Sequence, residues 1–206
     1  MRRVFQYDGE VFGILSKGYS YLVLNLCFLI GCLPIVTIGV STVAAYNVAL
    51  DSIEGEDKPI IQSFIKYFKV HFRLGIFTFL GGIAWLLMLA AGLRVFINTP
   101  LQYLFMLLIA FSLVFLNTLF LSIAYFSENV TLTFRYTSAL CLKYLGIFCL
   151  GTGVAFCSLL IPIFLPKLLF LWLFLGFSLP LVFSSKLFLV GANRMFETVT
   201  DGKDQV

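Results

Sequence analysis

The sequence predicts an all-α, polytopic membrane protein, and three observations support this class: its composition, its scarcity of charge and the length of its apolar segments. Hydrophobic residues make up 61% of the 206 residues and charged residues only 12%, about half the share typical of soluble domains. Several apolar runs reach the roughly 20 residues that a helix needs to cross a bilayer. We expect a single integral membrane domain over residues 1–206, with a short N-terminal helical hairpin, four long transmembrane helices and a cytoplasmic amphipathic helix.

The predicted hairpin occupies residues 19–50 and is broken by Pro34 and Gly39, which both weaken a helix. Inside hydrocarbon, each freed backbone N–H and C=O needs a protein or water partner. The break is therefore either a tight turn between two helices or the lining of a cavity. The first arm spans roughly 22 Å, shorter than a hydrocarbon core of about 30 Å. Ser41 or Thr42 is the expected N-cap of the second arm.

Residues 59–73 form the predicted amphipathic helix, whose first turn begins favourably with Pro59. Its aromatic residues recur every three or four positions, and its basic residues group on another face. This pattern is typical of a helix at the membrane surface, near anionic headgroups, and is equally compatible with a helix packed on the protein's own cytoplasmic face. The candidate partner or membrane-surface residues are Phe64, Lys66, Phe68, Lys69, Phe72 and Arg73.

Four longer apolar segments follow, and we expect each to be a transmembrane helix: 74–97, 101–125, 144–165 and 168–190. Residues 126–143 between them are polar and are expected to form a connection. The deeper polar side chains are Asn25, Asn117 and Thr118. They either form interhelical hydrogen bonds or line a polar cavity.

The distribution of basic residues favours a hairpin whose two ends share one side of the membrane. Basic residues concentrate on the cytoplasmic side of membrane proteins. The hairpin threading places 12 of the 14 lysines and arginines inside, whereas a threading in which residues 19–50 cross once places only nine there. The hairpin threading predicts that both termini are cytoplasmic, with Arg94 and Lys167 outside.

Catalytic and metal-binding patterns are nearly absent from the sequence. Residues 39–43 resemble a G-x-S-x-G nucleophile motif without its final glycine, and His71, the single histidine, is expected on a surface helix away from that serine. A serine with no base in reach is not activated. The cysteines lack C-x-x-C spacing and are expected to be inert packing residues: Cys27, Cys32, Cys141, Cys149 and Cys157. We expect no enzymatic activity, no cofactor and no metal.

The helix break is the best candidate for a binding site. A helix beginning near Ser41 would direct free N–H groups and the positive end of its dipole at a ligand. A capped tight turn that stabilises the hairpin is the alternative reading of the same residues. These candidate ligand or structural-turn residues are Pro34, Thr37, Gly39, Ser41, Thr42 and Asn47.

The stretches Leu24–Leu26, Leu33–Gly39 and Ser41–Tyr46 resemble the YesL-like family of bacterial integral membrane proteins, named as domain of unknown function 624. The spacing of Phe64, Phe68 and Phe72 and the stretches 124–128 and 186–196 are similar to the family's later pattern. His71 departs from it, because asparagine is expected there. The resemblance implies a protein of the bacterial plasma membrane, often encoded near carbohydrate uptake systems. It implies no activity, substrate or catalytic residue.

Two functions remain open at this point. The first is a non-enzymatic accessory or regulatory protein linked to carbohydrate uptake, whose partners are the lipid bilayer and transporter subunits or a membrane sensor. The formal charge of +4 is too small and dispersed for nucleic acid. The alternative is a small transporter or channel-like protein with a polar cavity at the break, reaching Thr37, Ser41 and Asn47.

Overall fold

The computed structural model describes residues 10–55, 58–96, 98–126, 130–164, 167, 172 and 176–201. Every regular element in these ranges is helical, which confirms the all-α class. The α-helices are α1 (Glu10–Gly31), α2 (Ile38–Glu54), α3 (Ile60–Val70), α4 (Phe72–Val95), α5 (Leu101–Phe126), α6 (Val130–Lys143), α7 (Leu145–Phe164) and α8 (Ser178–Asp201). A 3₁₀ turn, Ile35–Thr37, precedes α2.

Among the described residues, four helical segments are long and apolar enough to cross a membrane: Ile35–Glu54, Phe72–Val95, Leu101–Phe126 and Leu145–Pro162. This finding confirms a polytopic helical membrane protein. The set differs from the predicted one, because α2 belongs to it and α8 does not. Helix α1 also starts earlier than residue 19, where the first arm of the hairpin was expected.

Helix α6 occupies residues that were expected to form a polar connection. Its buried residues recur at helical spacing, because Thr133, Thr137, Leu140 and Cys141 are all at most 4% exposed. These residues share one face of a helix, and α6 packs that face chiefly on α5. Because two residues of this buried face are threonines, the sequence lacks the continuous apolar stripe that normally identifies an amphipathic helix.

The last helix is shifted along the chain relative to the predicted span 168–190. It begins at Ser178 and continues to Asp201, and Gly176 and Phe177 before it form a turn. Pro180 therefore lies in the first turn of α8 rather than in the middle of a span. A proline is tolerated there because the first N–H groups of a helix have no intrahelical partner.

Helix α2 is the centre of the bundle. Residues 43–50 are all buried, and α2 packs against α1, α3, α4, α5 and α8. By contrast, α4, α5 and α7 expose most of their apolar surface, as expected for helices that face lipid. Cys149 and Cys157 of α7 are also exposed, so the expectation that all cysteines are packing residues is wrong for these two.

Helix α4 approaches the backbone of α2 closely at a pair of glycines. A Cβ on Gly39 would lie 2.5 Å from the carbonyl oxygen of Gly75 and 2.5 Å from Phe79 Cβ. A Cβ on Gly75 would lie 2.7 Å from Val40 Cα. Small residues allow helix backbones to approach this closely in membranes, so both glycines are required by the packing.

This crossing also fixes the direction of α2. Gly39 of α2 and Gly75 of α4 are in contact near the starts of their helices. Seven residues further along each helix, Tyr46 of α2 bonds Asn117 of α5, and Gly82 of α4 lies against Leu116, the neighbour of Asn117. Helices α2 and α4 therefore run in the same direction, and the hairpin apex lies at the end of the bundle that carries Arg73. The predicted threading places the apex away from Arg73 and is wrong on this point.

Several residues used in the charge count lie outside the described residues, including Arg2, Arg3, Lys203 and the start of the predicted span 168–190. Glu128, from the family-like stretch 124–128, lies outside them as well. The side of the membrane on which each terminus lies stays a prediction.

The glycine crossing predicts opposite effects for two matched substitutions in α4. We expect Gly75→Ala to destabilise the protein by about 1–3 kcal/mol, because the new methyl group meets the α2 backbone. We expect Gly81→Ala to be neutral or stabilising by up to about 1 kcal/mol, because nothing lies within 4 Å of its Cβ position and alanine favours helix. Denaturant unfolding in detergent measures both, and equal effects would contradict the crossing.

The direction of α2 predicts which positions share a side of the membrane. We expect Val36→Cys and Arg73→Cys to react with an impermeant maleimide from the same side of sealed vesicles, and Pro100→Cys in the α4–α5 turn to react from the other. The exposed Cys149 and Cys157 are first replaced by alanine. Reaction of Val36→Cys together with Pro100→Cys would support the predicted threading instead.

Candidate functional site: the helix break and the surroundings of α2

Hydrogen bonds of Thr37 hold the two sides of the helix break together. Thr37 Oγ1 lies 2.7 Å from the carbonyl oxygen of Gly31 and 2.7 Å from that of Pro34, and its N–H donates to the Pro34 oxygen at 2.9 Å. The ring of Pro34 is exposed. The Thr37 hydroxyl therefore satisfies the Gly31 carbonyl group, one of those that the end of α1 leaves free.

The polar residues after the break also bond to their own helix. Thr42 Oγ1 donates to the Ile38 oxygen at 2.8 Å, and Asn47 Nδ2 donates to the Val43 oxygen at 3.0 Å. The residue at the N-cap position of α2 is Thr37, which makes no side-chain capping bond. The prediction of an N-cap at Ser41 or Thr42 is wrong, because α2 begins three residues earlier than Ser41.

Ser41 is completely buried where α1, α2 and α3 meet. A Cβ on Gly31 would lie 2.5 Å from Ser41 Oγ and 3.3 Å from Phe64 Cζ. The Cys32 thiol interacts with this hydroxyl but is a weak hydrogen-bonding group, and the part of the chain that the structure describes offers Ser41 no stronger partner. Ser41 thus faces α1 and α3, whereas Gly39 faces α4, so the candidate residues do not converge on one point.

Three of the cavities among the described residues can be compared with the break, and Thr37, Ser41 and Asn47 line none of these three. A cavity of about 670 Å³ lies between α4, α5 and α6. One of about 630 Å³ lies beside α7 and α8, and a third of about 110 Å³ lies between α1, α2 and α3. The geometry of the break therefore supports the interpretation as a tight turn over the interpretation as a ligand-lined cavity.

A buried polar cluster joins four helices at the middle of α2. Tyr46 Oη donates to Asn117 Oδ1 at 2.6 Å, and Asn117 Nδ2 donates to Thr152 Oγ1 at 3.1 Å. Ser184 is a further hydrogen-bond neighbour of the Tyr46 hydroxyl. This polar cluster, Tyr46, Asn117, Thr152 and Ser184, links α2, α5, α7 and α8. For Asn117 it favours interhelical hydrogen bonding over the lining of a polar cavity.

Asn25 makes a second interhelical link. Its Oδ1 accepts a hydrogen bond from the N–H of Phe177 at 3.1 Å, and Phe28 packs on the Phe177 ring at a centroid distance of 5.0 Å. Asn25 is completely buried. It therefore attaches the turn before α8 to α1. Thr118 donates to the Val114 oxygen of its own helix at 2.8 Å and accepts a weak bond from Cys141 Sγ of α6 at 3.9 Å.

Helix α3 is packed on the protein with its basic side outward. Phe64 is 5% exposed and belongs to the core, and Phe68 is half-buried, so neither aromatic ring is free for a partner. Phe72 is 42% exposed. Lys66, Lys69 and Arg73 are all exposed.

Asp51 attaches α3 to the end of α2. Tyr67 Oη donates to Asp51 Oδ2 at 2.8 Å, and Lys58 Nζ lies 3.9 Å from the same oxygen. His71 then ends α3 and is only 4% exposed. Burial lowers the pKa of its imidazole, which favours the neutral form at pH 7. Helix α3 is thus held at both ends.

Residues 21–98 match the model of a family described as protein of unknown function, DUF624. This part of the chain is similar to that family, and we call it the DUF624 segment. The match confirms the resemblance over the second half of α1 and all of α2, α3 and α4. No match was found among curated proteins or among solved structures.

The DUF624 segment contains the helix break, the glycine crossing and α3. It also contains Tyr46, but Asn117, Thr152 and Ser184 lie beyond it. The sequence pattern did not predict that Tyr46, Thr152 and Ser184 belong to such a cluster. The sequence signal for this cluster is the hydroxyl of Tyr46 in a largely apolar stretch of α2, because a buried tyrosine O–H usually has a hydrogen-bond partner.

The polar cluster predicts a stability effect for one missing hydroxyl. We expect Tyr46→Phe to cost about 1 kcal/mol, within the range of about 0.6 on average to about 1.7 at most found for hydrogen bonds between membrane helices. Denaturant unfolding in detergent measures this cost.

The matched control is Ser112→Ala, which removes the exposed 3.0 Å bond from Trp85 Nε1 to Ser112 Oγ and is expected to change little. A Tyr46→Phe protein as stable as the wild type would show that the cluster contributes nothing.

Proposed function

We propose that the protein is a non-enzymatic accessory or regulatory protein of the bacterial plasma membrane, and that the outer face of α3 contacts its partner. The observation that carries this proposal is the rigid presentation of basic side chains on α3. Lys66, Lys69 and Arg73 are exposed, whereas Phe64 on the opposite face is inserted into the core.

The partner surface that suits this face is acidic with apolar patches. Besides the basic side chains, α3 exposes Ile61 and Ile65, at 54% and 48%. Apolar anchors flanked by charges are typical of specific contacts, in which complementary charge contributes orientation and speed of association. The family resemblance suggests the kind of partner, namely a subunit of a carbohydrate uptake system or a membrane sensor.

The side of the membrane is part of the proposal. Arg73 begins α4, and Arg135 and Lys143 lie in α6, which follows the end of α5; because α4 and α5 are antiparallel, these residues share one end of the bundle. Basic residues near span ends concentrate in the cytoplasm. We place this end of the bundle, with α3 beside it, on the cytoplasmic side.

Extraction of the protein from native membranes in a mild detergent tests the proposal. We expect transporter or sensor subunits to co-purify in stoichiometric amounts with the wild type. We expect Lys66→Glu combined with Lys69→Glu to lower the recovery about tenfold, which corresponds to about 1.4 kcal/mol. Both lysines are exposed, so the substitutions leave the core intact.

The matched control is Lys186→Glu, since Lys186 is an exposed lysine of α8, and it is expected to retain the partner. Equal recovery with both variants would show that α3 is not the contact face. A homo-oligomer without any partner would contradict the accessory function itself.

A further inference from the structure

We propose that the cavity between α4, α5 and α6 binds an anionic phospholipid, with an acyl chain inside the cavity and the phosphate beside Arg73 and Arg135. Its volume of about 670 Å³ lies within the range of roughly 300–1,000 Å³ typical of ligand sites. The cavity is lined by Leu74, Gly81, Trp85, Ser112, Phe115 and Phe134, among other residues.

The chemistry of the lining fits a hydrocarbon chain. No charged side chain is among the described residues that line the cavity. Two of its polar groups are already bonded, since Trp85 Nε1 donates to Ser112 Oγ at 3.0 Å and Ser112 Oγ donates to the Leu108 oxygen at 2.7 Å. An apolar cavity of this kind excludes water and accepts apolar ligands.

The shape of the cavity places one end of a bound acyl chain beside α6. Phe134 of α6 packs edge-on against Phe115 of α5, with ring centroids 5.4 Å apart. Gly81 is exposed, and nothing lies within 4 Å of its Cβ position. The cavity is thus bounded by aromatic rings at α6 and open on the face of α4 that meets lipid.

The charge at the α6 end selects an anionic headgroup. Arg73 directly precedes Leu74, and Arg135 directly follows Phe134; both lining residues belong to the cavity, and both arginines are exposed. Helices α4, α5 and α6 contain no aspartate or glutamate. No carboxylate on these helices therefore competes with a phosphate for the arginines, and Arg is the residue best suited to bind phosphate.

Trp85 provides the readout, because it lines the cavity. The chain has 2 tryptophans, so Trp172→Phe leaves Trp85 as the only reporter. The variant is reconstituted into phosphatidylcholine vesicles that contain increasing fractions of phosphatidylglycerol with brominated chains, which quench tryptophan. We expect brominated phosphatidylglycerol to quench Trp85 at lower mole fractions than brominated phosphatidylcholine does.

Two substitutions test the headgroup contact. Each arginine near a membrane surface favours anionic lipid by roughly fivefold, so we expect Arg73→Ala and Arg135→Ala each to reduce the preference for phosphatidylglycerol about fivefold. Arg94→Ala, at the far end of α4, is the matched control and is expected to retain the preference.

Two further substitutions test the cavity. Gly81→Leu fills the open space at its wall and is expected to reduce quenching by brominated phosphatidylglycerol. Gly153→Leu is the matched control, because this exposed glycine of α7 also has nothing within 4 Å of its Cβ position. A preference that survives Gly81→Leu unchanged would place the lipid outside the cavity and overturn the proposal.

The remaining outcomes are equally decisive. Equal quenching by both lipids in the Trp172→Phe protein would overturn the proposal. Quenching by neither lipid would also overturn it, since a second copy of the protein would then fill the cavity. Lipid that co-purifies with the unmodified protein provides a second measurement that does not depend on Trp172→Phe. Mass spectrometry should find phosphatidylglycerol enriched with the wild type and with Arg94→Ala, and depleted with Arg73→Ala and Arg135→Ala.

Discussion

The close approach of α2 and α4 at Gly39 and Gly75 is the contact on which the rest of the structure depends. It lets two backbones meet with no side chain between them, and it sets the direction in which α2 runs through the bundle. Helix α2 can then be surrounded by α1, α3, α5 and α8. Because hydrocarbon gives no hydrophobic driving force between helices, such close packing and interhelical hydrogen bonds hold a membrane bundle together. A side chain larger than hydrogen at either glycine would separate α4 from the centre.

Buried polar side chains form hydrogen bonds between the helices that this packing brings together. Tyr46 and Asn117 join α2 to α5, and Thr152 extends the connection to α7. Asn25 joins α1 to the turn before α8. An unpaired polar group is costly in a region without water, so each of these side chains favours one arrangement of neighbouring helices over its alternatives. The break after α1 follows the same principle, because the Thr37 hydroxyl satisfies the Gly31 carbonyl group at the end of that helix.

Segment length and hydropathy predicted most of the helices, including α3 through its periodic aromatic residues. They could not predict α6, because its buried face carries Thr133 and Thr137 rather than aliphatic residues. They misplaced α8, because Pro180 is compatible with the middle of an apolar run as well as with a first turn. The threading failed for a different reason: counting lysines and arginines assigns sides to loops but contains no information on which helices touch. Gly39 and Gly75 are unremarkable in sequence, and their contact appears only when α2 and α4 are packed together. The sequence predicted a break at these candidate residues. The side chains of Thr37, Thr42 and Asn47 bond to nearby backbone instead of facing a common space.

The DUF624 segment ends at residue 98, and the features that could serve a function extend past that boundary. The polar cluster needs Asn117 and Thr152, and the apolar cavity needs α5 and α6. Helix α3, in contrast, lies wholly within the segment and depends on it for its orientation, since Phe64 meets Gly31 of α1 and Tyr67 bonds Asp51 of α2. These contacts fix α3 as a rigid surface rather than a moving element, because any rotation that exposed Phe64 would empty a core position and break the bond to Asp51. Helix α3 thus depends on contacts within the DUF624 segment, whereas the polar cluster and the apolar cavity also depend on helices beyond it.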